Sequence, residues 1–274
     1  VNYYPLIRGR QYDLLALSQM AQMLSPHVIP VIEPVKDIPA LARCAAAFTK
    51  HHHPLFVIQN PLVGAYGLLA QPKTTIPYSD WVRPARWFDP TASPLTLVQS
   101  LTQLHQLDAT QLALIPAAAR FRAVAHPAAI YLEDHTSTRA RTEDYQQVQT
   151  EFYQYPVAQL PGVGLADYPL STHHYDDHGY AQRAIAIHLL FIDRGALFVR
   201  HFTSVNNLDY TDPQTKFFEA VAPLTPWLAD HPDAATPATA ELQRLAATQH
   251  FPGLGTLRKL QLQHWLTIMG RWLD

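Results

Sequence analysis

A single cysteine in 274 residues, Cys44, excludes an internal disulfide. It sits in the alanine-rich helical run from Leu41 to Phe48, a setting that suits a small buried hydrophobe in a reducing compartment. No stretch approaches the roughly 18 to 20 apolar residues of a membrane-spanning helix. The opening residues also lack a basic segment followed by an apolar one, so a cytoplasmic location is expected and a membrane partner is not. Charge of one sign is missing as well. The formal net charge is −2 and the pI about 6.8, so the chain has no global basic field and nucleic acid is not favoured as a partner. The familiar catalytic spacings are absent: there is no His-Glu-x-x-His, no phosphate loop ending in Gly-Lys-Ser/Thr, and no Gly-x-Ser-x-Gly elbow. Without such spacing the 15 histidines, His51-His52-His53 among them, read as a compositional habit rather than a metal cluster.

What is present is a rhythm of short apolar runs followed by amphipathic ones. The run Val28-Ile-Pro-Val-Ile-Glu33 reads as a strand buried on both faces whose tip carries a carboxylate, with Lys36 close behind. It is flanked by strands at 2–7 and 55–60 and by helices beginning near Arg10 and Pro39, the alternation of a parallel sheet with right-handed crossovers. From Pro61 to Pro94 the pattern dissolves. Six prolines there argue against a long helix or central strand, and the segment is expected to be an ordered aromatic excursion with one short helix near 64–69. Leu97, Leu101 and Leu104 predict a helix over 95–107. Strands follow at 112–116 and 128–134, a short helix at 117–125 between them, and another strand is expected at 162–168 with Asp167 near its end. The segment 139–145 reads as helical, Phe152–Val157 as a short strand, and 176–179 as a loop. A hairpin is expected at 184–192 and 196–202 around Asp193-Arg194-Gly195, and the remainder is helical. With no repeat or linker, residues 1–274 are expected to form a single α/β domain. Its architecture is TIM-barrel-like, possibly distorted, with an antiparallel hairpin and a helical region over 204–274.

Several of these stretches occur together in another context. Tyr4-Pro-Leu-Ile-Arg-Gly-Arg-Gln-Tyr12, Pro30-Val-Ile-Glu-Pro-Val-Lys36, Ala184-Ile-Ala-Ile-His188, His201-Phe202, Lys216-Phe217 and Phe251-Pro-Gly-Leu-Gly255 resemble an uncharacterised bacterial family known only by a locus-tag name. The N-terminal third is similar to the Beta protein family of phages and bacteria. That resemblance implies a barrel-like α/β fold and an intracellular setting, and carries over no catalytic residues.

Strand tips in parallel sheets converge on one crevice, which makes charged residues there the first candidates for chemistry. Glu33, Lys36, Glu133, Asp134 and His188 are the candidate catalytic residues; Arg8, Arg10, Asn60, His135 and His201 are candidates for binding substrate. Glu33 and Asp134 are the candidate ligands for Mg²⁺ or Mn²⁺, with Lys36 and Arg8 offsetting charge that develops on a phosphorylated substrate. The expectation is a metal-assisted hydrolase acting on a phosphodiester or another phosphorylated substrate. Two other readings compete with it. Arg8, Glu33 and Lys36 would equally suit a structural ion-pair network. The aromatic excursion from Tyr66 to Phe88 would suit a non-catalytic interaction module from a mobile-element or phage-related locus, docking on a protein partner.

Overall fold

The computed structural model describes residues 1–136, 139–177 and 182–274. Eight parallel strands close into a barrel: β1 (Asn2–Arg8), β2 (Val31–Glu33), β3 (Leu55–Ile58), β4 (Val82–Trp87), β5 (Leu95–Leu97), β6 (Ala113–Pro116) and β7 (Ala129–Leu132) come in chain order. The next strand, β8 (Thr150–Gln154), leaves the barrel; β9 (Gly164–Asp167) returns and pairs with both β7 and β1. Side chains alternate along each strand. Tyr4, Leu6, Val31, Phe56, Ile58, Ala85, Leu97, Leu114, Ile130 and Ala166 fill the barrel, while Tyr3, Ile7, Ile32, Val57 and Leu165 face outward beneath the helices.

Two strands of this barrel lie where the sequence predicts none or a helix. Pro84 sits inside β4, contrary to the expectation that prolines bar a central strand from 61–94. It is tolerated because odd-numbered β4 residues bond β3, as where Gln59 N–H donates to Ala85 O. Pro84 therefore faces the other neighbour, and β5 begins only at Leu95, opposite Ala85, so no ladder donor is lost. The helix expected over 95–107 is instead β5 followed by a single turn, α3 (Leu101–Leu104), capped by Ser100 accepting from Gln103 N–H. Leu95 and Leu97 fill the barrel interior, and tertiary burial overrides the helical spacing.

Around the barrel run α1 (Gln11–Met20), α2 (Pro39–Lys50) and the one-turn α4 (Ala119–Arg122), and a 3₁₀ turn at Tyr66–Leu68 marks the excursion. A 3₁₀ segment at Thr142–Gln147 replaces the helix read at 139–145. The hairpin strands β10 (Ala186–Asp193) and β11 (Ala196–Thr203) form an antiparallel sheet in the order β10-β11-β8. Their two-residue turn has positive φ at both Arg194 and Gly195, the geometry that matches strand twist. Helices α5 (Pro213–Val221), α6 (Leu224–Asp230) and α7 (Pro237–Ala247) cover the sheet's outer face, on Ile187, Leu189 and Phe202. The last helix, α8 (Leu254–Leu273), wedges between this sheet and the barrel, burying Leu262, Trp265 and Met269. Of the loop read at 176–179, His178 and Gly179 lie outside the described residues.

Candidate active site between the barrel wall and the added sheet

Because all eight strands are parallel, Glu33, Asp134 and Asp167 emerge from one rim. Alternation then separates them. Arg8 and Glu33 continue the interior rows of β1 and β2, and Asp134 lies two residues beyond Leu132, which packs on the interior cluster. Glu133 and Asp167 point to the outside of the wall.

The interior group is closed upon itself. Glu33 is fully buried; one carboxylate oxygen accepts from Trp87 Nε1 at 2.9 Å and Leu62 N–H at 2.8 Å, and the other pairs with the Arg8 guanidinium. Asn60 and the Trp87 backbone bond reciprocally at 2.9 Å. Arg8 donates to His173 O at 3.0 Å and lies over the Tyr168 ring, while His173 donates to Asp134 from its backbone N–H at 3.0 Å and from Nδ1 at 2.6 Å. The segment after β9 thus crosses the barrel mouth and is tied to both sides of it. Lys36 and Arg10 stand on the rim, Lys36 paired with Asp177 at 3.1 Å and Arg10 donating to Asp176 O at 2.7 Å. Glu33's oxygens face N–H donors and a guanidinium, an arrangement suited to an ion-pair network and unsuited to a divalent cation. Among the described residues no three His, Cys, Asp or Glu side chains converge as a metal site.

The second group is built by the added sheet. Hairpin register puts His188 directly opposite His201. On the third strand Glu151 pairs with Val199 and presents its side chain on the same face. His188 Nδ1 lies 2.7 Å from His201 Nδ1, and His201 Nε2 lies 3.2 Å from a Glu151 oxygen whose partner oxygen binds Arg139. A carboxylate only accepts, so His201 carries its proton on Nε2 and offers Nδ1 to the Nδ1–H of His188. Among the described residues the Nε2 of His188 has no hydrogen-bond partner, and it is left as the open lone pair of a Glu151–His201–His188 chain. Tyr145 packs against both rings, with centroids 4.6 and 4.7 Å away.

These groups line a cavity of about 110 Å³ together with His135, Phe152, Tyr153, Val199 and Trp265. Burial, then the neighbouring His201, pushes His188 down to about 3, and burial followed by Arg139 and Arg200 takes His201 to about 4, so both rings are neutral near pH 7. His135 moves the other way, raised chiefly by its hydrogen bond to Glu133 against the opposing effect of burial. Burial would raise Glu133 itself, but the bonds from His135 and Gln154 hold it below the ordinary carboxylate value, with Arg122 on the other oxygen at 2.7 Å. Asp167, wholly buried, accepts from Tyr3 and Tyr153 hydroxyls at 2.5 Å each; burial lifts it to about 6 even against those bonds.

Of the residues picked out by sequence, then, Arg8, Glu33, Asn60 and Asp134 meet in the mouth, Lys36 and Arg10 on its rim, and His135, His188 and His201 around the cavity, with Glu133 behind His135. Tyr145, Glu151 and Tyr153 were not anticipated. One signal was readable: a turn at 194–195 pairs 193 with 196, and counting outward sets 188 opposite 201. The class is thus an eight-stranded parallel α/β barrel with an added antiparallel sheet and a histidine-lined cavity at its C-terminal rim. Comparison with family models, curated proteins and solved structures finds no match to this chain. Among the described residues no helix is long and apolar enough to cross a membrane.

Proposed function

We propose that the protein is a hydrolase of a phosphodiester, working by general acid–base catalysis in the cavity between the barrel wall and the added sheet. The observation that carries this reading is the linear Glu151–His201–His188 chain opening onto a cavity that His135 also lines. His188 Nε2 takes a proton from water; the charge passes along the Nδ1 pair towards Glu151, which stabilises the imidazolium that forms. His135, whose charged form Glu133 favours, gives its proton to the departing alkoxide. Two histidines driven apart in pKa by their surroundings are the pattern of an assigned base and acid. The cavity is smaller than the ~150 Å³ that encloses a benzene ring, so it takes the reacting group itself while the substrate's flanks extend outside. No step requires Mg²⁺ or Mn²⁺.

Hydrolysis of bis(p-nitrophenyl) phosphate tests this. Turnover should persist in EDTA and should fall as pH rises through the elevated His135 value, because the acid loses its proton there. Turnover that appears only on adding Mg²⁺ or Mn²⁺ would return the chemistry to metal assistance. A second reading, protein docking in the manner of a phage-related interaction module, is favoured by the exposure of Leu62, Leu68, Leu69, Tyr78 and Trp81 on the excursion. Loss of a captured partner on replacing Leu68 and Trp81, with no hydrolysis at all, would select it.

A further inference from the structure

Beside the capped mouth lies a second cleft, of about 630 Å³, within the size range of small-molecule sites. Two helices start on it. Neither α1 (10 residues) nor α8 (20 residues) has a side-chain cap, so their first-turn N–H groups point at the cleft without the usual acceptor. Gly255 makes the convergence feasible, since a Cβ there would lie 2.1 Å from the Tyr12 ring. Between the helices sits Asp13, 1% exposed. Its Oδ1 accepts from Arg258 Nε at 2.9 Å, whereas its buried Oδ2 has no hydrogen-bond partner among the described residues. A buried carboxylate oxygen lacking a donor is costly, and Arg258 already balances its charge. What is missing is a neutral donor. Across the cleft stand the cations Arg10 and Lys36, with Lys36 paired to Asp177 and Asp176 beside it in the lining, and Tyr12 and Tyr175 supply aromatic walls.

From this arrangement we infer that the cleft binds a phosphate monoester of a polyhydroxylated small molecule. The phosphate lies against the helix starts, each equivalent to about half a positive charge, and against Arg10 and Lys36, taking the place of Asp177 on the lysine. A ligand hydroxyl donates to Asp13 Oδ2. Inorganic phosphate would leave Asp13 unsatisfied. Sugar phosphates and nucleoside monophosphates share this chemistry. The inference stands apart from the hydrolytic reading and uses none of its residues.

Calorimetric titration with ribose 5-phosphate, adenosine 5′-monophosphate and inorganic phosphate tests it. Either ester is expected to bind at least about tenfold more tightly than inorganic phosphate, a difference of about 1.4 kcal/mol. Preference for the nucleotide identifies a base-stacking site, and equal affinity identifies a sugar phosphate site. The double variant Arg10→Ala/Lys36→Ala alters only exposed side chains, and should fold while losing about tenfold or more of ester affinity. The variant His188→Gln should bind the esters as the parent does, whatever its effect on hydrolysis. Failure of both esters to bind, affinity unchanged in the double variant, or inorganic phosphate binding as tightly as the esters would each overturn the inference.

Discussion

Arg8 and Glu33 are a cation and an anion carried by neighbouring strands into a place almost without water, and their energetics follow from that burial. Removing one partner leaves the other charged, buried and without compensation, which costs about 3–5 kcal/mol; replacing both by apolar residues of similar volume is often neutral. Arg8→Met is therefore expected to lower the urea-unfolding free energy by that amount, and Arg8→Met/Glu33→Gln, which removes the stranded charge but keeps an acceptor for Trp87 Nε1 and Leu62 N–H, to recover most of it. If the single and double variants are equally destabilised, the pair does not act as a closed unit. Hydrogen-bond satisfaction also distinguishes the ionisable residues of the mouth from those of the cavity. Glu33 is surrounded by donors and has nothing left to offer a substrate, while His188 keeps one nitrogen free. At this scale the sequence is least legible, because Glu33 and Glu133 look alike as acid-tipped strands. Only the parity of the residues within a closed barrel shows that one faces inward and the other outward.

Among the elements, β9 has the most demanding position, since it closes the barrel between β7 and β1 after β8 has left it. Gly162 leads into it with φ +74, and a Cβ there would come 2.5 Å from Ala129 O and 2.9 Å from the Tyr131 ring. Backbone cannot step aside as a side-chain tip can. Gly162→Ala is expected to cost at least about 2 kcal/mol, more than the ~1 kcal/mol of a left-handed φ alone; a melting temperature unchanged from the parent would contradict this geometry. Legibility in the sequence varied with how locally each element is determined. The hairpin and the apolar barrel strands were readable, since a tight turn or a continuous buried run specifies each within a few residues. β4 and β5 were not, because Pro84 is tolerated only by virtue of where β5 begins, and the Leu95–Leu104 spacing imitates a helix. β8 was half-read: its partner β11 lies more than forty positions away, and Glu151 and Tyr153 acquire a purpose only when the hairpin lies beside them.

For the molecule as a whole, the added sheet creates a layer of buried titratable groups that barrel and helices alone would lack, and acid stability reports on that layer. His188, His201 and His264 have folded values of about 3, 4 and 4 against an ordinary 6.5, each depressed mainly by burial. As pH falls below 6.5 the unfolded chain takes up protons that the native rings refuse, and stability is lost until the folded values are reached. Asp167 acts in the opposite sense. Its folded value of about 6 lies above the ordinary 3.8, so the native state takes up its proton first and gains stability on acidification across that interval. Three sites against one leave about two protons, a loss on the order of 3 kcal/mol per pH unit near pH 5. Unfolding free energies measured between about pH 4.5 and 6.5 should follow that slope, and His264→Gln, which retains a polar partner for Leu190 O, should reduce it by about one proton. A pH-independent stability across the window would mean that these rings are not buried neutral.

Whether chemistry resides in the space between wall and sheet rather than in the barrel mouth is decided by the kcat/KM of His188→Gln. With bis(p-nitrophenyl) phosphate in EDTA, the variant should keep its fold and lose about 10²–10⁴-fold in rate, the usual contribution of a positioned general base. A His188→Gln protein as active as the parent would contradict a site between wall and sheet.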